Sequence, residues 1–95
     1  MKVSQKVKVK NALGLHARPA TLIAKLLQKS RSQVTFTYKK ESINARSIMS
    51  ILMLAVSKNS QILITVEGED AEETLFQLVQ VFENQFGERE HELPK

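Results

Sequence analysis

Residues 14–20 read Gly14-Leu15-His16-Ala17-Arg18-Pro19-Ala20, and at this run the chain changes from a strand's alternation to a helix's stripe. Before it, Val3, Val7 and Val9 alternate with Lys6, Lys8 and Lys10, a strand with one wet face. After it, Ala20, Ile23, Ala24 and Leu27 share one helical face while Thr21, Lys25 and Gln28 lie on another, which predicts a helix from Arg18 to Lys29. Pro19 fits the first helical turn because its missing N–H has no helical acceptor there and its φ is already helical. Gly14 allows a tight turn just before the histidine.

The same run places a nucleophile at the foot of that helix. The first amides of a helix have no partner within it, and the helix dipole favours negative charge at that end. With His16 near the N-cap, the free amides belong to Ala17 and Arg18, and Arg18 adds a planar fork of donors suited to phosphate oxygens. A phosphoryl group on the imidazole would meet all of these donors. A histidine at a helix start is more often a simple cap or surface residue, so the run needs support from the rest of the chain.

Working outward, Val34, Phe36 and Tyr38 alternate with Thr35 and Thr37 as a second strand, and Lys39-Lys40-Glu41-Ser42 is a polar turn before a short partner strand beginning at Ile43-Asn44. Ser47 opens a short helix through Ile48-Met49-Ser50-Ile51-Leu52-Met53-Leu54. Ile62, Ile64 and Val66 mark a fourth strand, and Gly68-Glu69 turns the chain. In the last helix Asp70 and Glu73 form a capping-box variant, Leu75, Leu78, Val79, Phe82 and Phe86 make one stripe, and Gly87 suits the stop. Beyond it Glu88-Arg89-Glu90-His91-Glu92 is a charge-dense tail expected to fray, in which His91 has no role. The domain is bounded at residues 1–88, with 89–95 as the tail.

The order β-α-β-β-α-β-α predicts an α+β, two-layer open-faced sandwich: a four-stranded, mainly antiparallel sheet covered on one face by three helices. Ninety-five residues, 42% hydrophobic and 25% charged, suit one globular domain with a modest core. With no cysteine the chain has no disulfide, thiolate metal site or cysteine nucleophile, and no cofactor or metal is expected. The longest apolar run, Ile51 to Val56, is far too short to cross a bilayer, and no signal core leads the chain, so the expectation is a cytoplasmic protein without membrane insertion.

The net charge of +4 conceals an asymmetry. Residues 1–48 hold eleven Lys and Arg against the single acid Glu41, whereas residues 49–95 hold three against nine acids. The basic half contains His16, which suits an anionic ligand or an acidic partner surface. A small nucleic-acid-binding domain is conceivable on charge alone, but few aromatics are present for base stacking and no nucleic-acid motif is recognisable.

Two segments together carry a resemblance. Asn11-Ala12-Leu13-Gly14-Leu15-His16-Ala17-Arg18-Pro19-Ala20-Thr21 resembles the phosphorylation-site signature of the HPr family, the histidine phosphocarriers of the sugar phosphotransferase system. About thirty residues on, Asn44-Ala45-Arg46-Ser47-Ile48-Met49 is similar to that family's regulatory serine segment. Element order and length agree too, up to about Gly87.

The resemblance implies that His16 accepts a phosphoryl group, on Nδ1, from phosphorylated enzyme I and passes it to IIA domains of sugar permeases. It further implies that Arg18 stabilises the phosphate, and that Ser47 is modified by HPr kinase/phosphorylase where that enzyme exists. Ile48, Met49 and Leu52 match the family's exposed apolar docking patch, while Ile51 and Leu54 are assigned to the core. Lys25 is a candidate contact for acidic partner residues, and the chain is expected to be a monomer and a carrier without independent turnover. Imidazole suits such a carrier: it is largely neutral and nucleophilic near pH 7, and it leaves phosphorus more easily than an alkoxide does.

Ser47 has a plain structural role as an N-cap, which is compatible with modification because a phosphate there would meet the same free amides. Glycine is frequent in the family where Ser50, Ala55 and Asn59 stand, and an Asn-Gly turn where Lys39-Lys40 stands. A mainly regulatory binding module switched at Ser47, with His16 phosphorylation minor, is the rival function.

Overall fold

Alternating Val and Ile side chains have one dry face to bury, and the computed structural model, which describes residues 1–88, stacks them in a single four-stranded sheet. The strands are β1 (Lys2–Lys8), β2 (Gln33–Tyr38), β3 (Glu41–Asn44) and β4 (Gln61–Glu67). Their spatial order is β1-β4-β2-β3, with every neighbouring pair antiparallel. Val7 faces Ile62, Val34 faces Val66, and Phe36 lies between Ile64 and Ile43, so these apolar residues line one surface, while Leu63, opposite Lys6 and Thr37, falls on the other. The opposite surface carries Lys6, Thr65, Thr35, Thr37 and Ser42, with Ser4 bonded to Thr65 and Thr37 to Ser42 across strands. That wet face is what an open-faced sandwich leaves uncovered.

Three helices, α1 (Ala17–Leu27), α2 (Ile48–Leu54) and α3 (Ala71–Glu83), supply the other layer. Ala20, Ile23 and Leu27 of α1, Ile51 and Leu54 of α2, and Leu78 and Phe82 of α3 are buried with Val9, Val34, Phe36 and Ile64 in one core. Phe82 meets Phe36 edge-on at 5.9 Å between centroids and Phe86 at 4.8 Å, geometries that the ring quadrupole favours. The predicted architecture is therefore the observed one.

Three local expectations change. Asp70 is the N-cap residue of α3 but makes no capping bond; its carboxylate instead accepts from Ser32 Oγ, Ser30 Oγ and the Arg31 amide. The loop before β2 offers three donors at once, so the acid ties α3 to that loop rather than closing a capping box. The last helix ends at Glu83, short of Gly87. Gln85 and Phe86 take left-handed φ values of 54° and 56°, giving a 3₁₀ turn over Gln85–Gly87 that folds the Phe86 ring back onto Phe82. β3 begins at Glu41, because Lys39, at φ 57°, turns the chain within two residues, as tight hairpins require. The tail 89–95 and His91 lie outside the described residues.

Candidate functional site

His16 is the N-cap of α1, in extended backbone conformation, with its carbonyl accepting from the Ala20 amide at 3.1 Å. That bond is the first of the helix, so the amides of Ala17 and Arg18 precede the helical ladder, and Pro19 brings none. Asn11 shapes the approach: its buried Nδ2 donates to the Gly14 carbonyl at 2.8 Å, Gly14 turns at φ 66°, and the buried Leu15 donates its amide to the Val56 carbonyl at 3.0 Å. The histidine loop thus rests on the segment that follows α2.

The His16 side chain is partly exposed, and its Nε2 lies 3.1 Å from Oε1 and 2.9 Å from Oε2 of Glu88. Glu88 Oε1 also accepts from Asn11 Nδ2 at 2.9 Å. Far from fraying, Glu88 is packed against the site, because the 3₁₀ turn at Phe86 brings Glu88 back to the Asn11 side chain. Sequence reading missed both Glu88 and the burial of Asn11; an acid in a charged run 72 residues from the histidine gives no local signal.

Arg18 is exposed and its guanidinium pairs with no acid among the described residues. Lys25 is exposed in the last turn of α1, about 13 Å along the axis from His16 at 1.5 Å per residue. Ser47 is the N-cap of α2, and its Oγ accepts from the Ser50 amide at 3.1 Å. Ile48 and Met49 are exposed, Leu52 is half-buried, and Ile51 and Leu54 are in the core. Met53, 76% exposed and four residues after Met49, extends that apolar surface and was missed.

Arg46 is committed elsewhere: its guanidinium donates to the carbonyls of Leu27, Ser30 and Ser32, closing the C-terminal end of α1. Of Ser50, Ala55 and Asn59, Ala55 (φ 53°) and Asn59 (φ 72°) are left-handed, whereas Ser50 lies inside α2. An apolar groove of about 820 Å³ between α1 and α3, lined by Leu22, Leu26, Val81 and Phe86, takes in neither His16 nor Ser47. Among the described residues no three His, Asp or Glu side chains gather to hold a cation, and no helix is long and apolar enough to cross a membrane.

The geometry is that of a partly exposed imidazole beside helix amides and a guanidinium that have no partner among the described residues, an arrangement able to receive an anionic group. Comparison with known proteins gives the family. Residues 3–84 match the family described as the PTS HPr component phosphorylation site. The phosphocarrier protein HPr of Chlamydia muridarum is 42% identical over 80 residues, covering 84% of this chain and 77% of the relative. The crystal structure of HPr-C-His from Thermoanaerobacter tengcongensis superposes with a TM-score of 0.88 at 38% identity, over 92% of this chain and 98% of that one. The HPr dimer from the same organism gives 0.69 at 42% identity, over 86% and 94%. Fold, motif and relatives converge: the chain belongs to the HPr family of phosphotransferase-system phosphocarriers.

Proposed function

We propose that His16 is the phosphoryl-carrying residue, taking the group from phosphorylated enzyme I and delivering it to IIA domains of sugar permeases. The observation that carries this reading is the position of His16 as N-cap of α1, beside the amides of Ala17 and Arg18 that precede the helical ladder. Arg18, exposed and without an acidic partner among the described residues, supplies donors for the phosphate oxygens. The transfer asks for positioning and charge stabilisation, which a partner's active site can share. Ile48, Met49 and Leu52, extended by Met53, form the docking surface, and Lys25 contacts acidic partner residues. The chain acts in the cytoplasm as a monomer, which its elution volume in size-exclusion chromatography would test against a dimer.

The experiment is incubation with enzyme I and labelled phosphoenolpyruvate. Acid-labile, alkali-stable label on the wild type, lost in His16→Ala, is the expected result; wild-type uptake by His16→Ala would sink the assignment.

A second reading is regulation at Ser47 by HPr kinase/phosphorylase. Its support is the N-cap position of Ser47 next to the exposed Ile48 and Met49, where a phosphate would meet free amides at the edge of the docking surface. Acid-stable label from ATP and the kinase, absent in Ser47→Ala, would establish it. Such label, with none from enzyme I, would make the chain a regulator.

A further inference from the structure

Glu88 presents a physical puzzle. Its side chain is only 7% exposed, and burying a carboxylate is costly unless hydrogen-bond donors meet it. Asn11, 1% exposed, provides one: its Nδ2 points at two acceptors, the Gly14 carbonyl and Glu88 Oε1, so the amide cannot be turned round without setting oxygen against oxygen. Asn11 Oδ1 is left without a partner among the described residues, a cost accepted to keep Nδ2 in place. The second donor is His16 Nε2, between the two carboxylate oxygens. An ionised carboxylate can only accept, so Nε2 carries the proton and a neutral ring has its lone pair on Nδ1.

Resting on the carrier reading above, we infer that Glu88, anchored by Asn11, is the positioning residue of the phosphoryl acceptor: it fixes the ring and its tautomer so that Nδ1 is the nucleophile. As the Nδ1 lone pair forms the new P–N bond, the donor's bond to that phosphorus breaks and its electron pair leaves with the donor. Nε2 keeps its proton throughout, and the ring becomes cationic against the Glu88 carboxylate. On delivery the P–N electrons return to the ring, which is neutral again with the same proton on Nε2. The logic is that of an acid holding an imidazole in its productive tautomer.

Two variants separate in an order that a structural role would not produce. In Glu88→Gln the amide oxygen stays with Asn11 Nδ2, and the amide nitrogen faces His16 Nε2 as a donor. The ring is then driven to carry its proton on Nδ1, the unreactive form. In Glu88→Ala water replaces the carboxylate and the ring samples both tautomers. Single-turnover phosphoryl uptake from phosphorylated enzyme I is expected to fall about tenfold or more in Glu88→Gln, and less in Glu88→Ala. Nitrogen-15 NMR of the His16 ring, read on the free protein, should show Nε2 protonated in wild type and Nδ1 protonated in Glu88→Gln.

A role in packing alone predicts the reverse order, since glutamine keeps the shape and alanine does not; that order would overturn the inference. So would wild-type uptake by Glu88→Gln, or slow uptake without a tautomer change. A wild type that takes up phosphoryl beside an unaffected Glu88→Gln would remove only the role of Glu88. A wild type that takes up none would remove the carrier reading and this inference with it.

Discussion

Gly14 and Val56 approach so closely that a Cβ on the glycine would overlap the Val56 carbonyl oxygen. The same oxygen accepts the Leu15 amide at 3.0 Å, so the turn before His16 is docked by its backbone on the segment after α2. Gly14 also has φ +66°, where any side chain is strained. Gly14→Ala is therefore expected to cost about 2 kcal/mol or more, from left-handed backbone strain plus displacement of the loop. Urea unfolding would show it as a lowered midpoint; an unchanged midpoint would mean that the loop is not held as described.

Ala55 closes α2 with φ 53° and ψ 46°, and its amide donates to the Leu52 carbonyl. An alanine in this conformation carries a steric penalty that glycine avoids, partly offset by the greater freedom of glycine in the unfolded chain. Ala55→Gly should stabilise the protein by about 0.5–1 kcal/mol. Thermal melting would register a higher midpoint, and a lower one would contradict the cap geometry.

The Asp70 carboxyl is held below its usual range, first by the Ser32 hydroxyl, then by the Arg31 amide, with the Ser30 hydroxyl adding to them and burial opposing. Because the folded-state value is the lower one, the stabilisation is complete above the unfolded carboxylate value near 3.9 and is lost as pH falls through the depressed folded value. Asp70→Asn should thus unfold at lower denaturant than wild type at pH 7, and the gap should narrow below about pH 4. Equal midpoints at pH 7 would show that the Ser30–Ser32–Asp70 contact contributes nothing.

Arg18 is exposed and pairs with no acid among the described residues, so its removal should leave folding nearly untouched. Under the proposed function, Arg18→Ala should slow phosphoryl uptake from enzyme I about tenfold or more. Arg18→Lys should recover only part, because an ammonium lacks the planar fork. Uptake rates compared at equal thermal stability would decide; uptake by Arg18→Ala as fast as wild type would remove the arginine from the site.

The legible parts of this molecule were those written in local pattern. Alternation at Val34-Thr35-Phe36 and the stripe Ala20-Ile23-Leu27 each name a buried face within one element, and each was found buried there. Ser47 and His16 were placed at helix starts by their neighbours in the chain, and they are N-caps. The misses follow from competition between distant groups. Asp70 has a capping pattern, yet Ser30, Arg31 and Ser32, some forty residues earlier, take its carboxylate. Phe86 falls on the stripe of α3, yet it reaches the core from a left-handed turn after the helix has ended.

What the sequence determined by itself was the element order, the dry face of each element and the helix start that places amides beside His16, because periodicity and chain-end amides are properties of a few consecutive residues. What only the tertiary structure decided was which distant groups share a donor or a carbonyl: Glu88 with His16 and Asn11, Arg46 with the end of α1, Gly14 with Val56. Those pairings depend on how the layers close, and a buried charge or a close backbone approach is satisfied wherever packing brings a partner, whatever its distance along the chain.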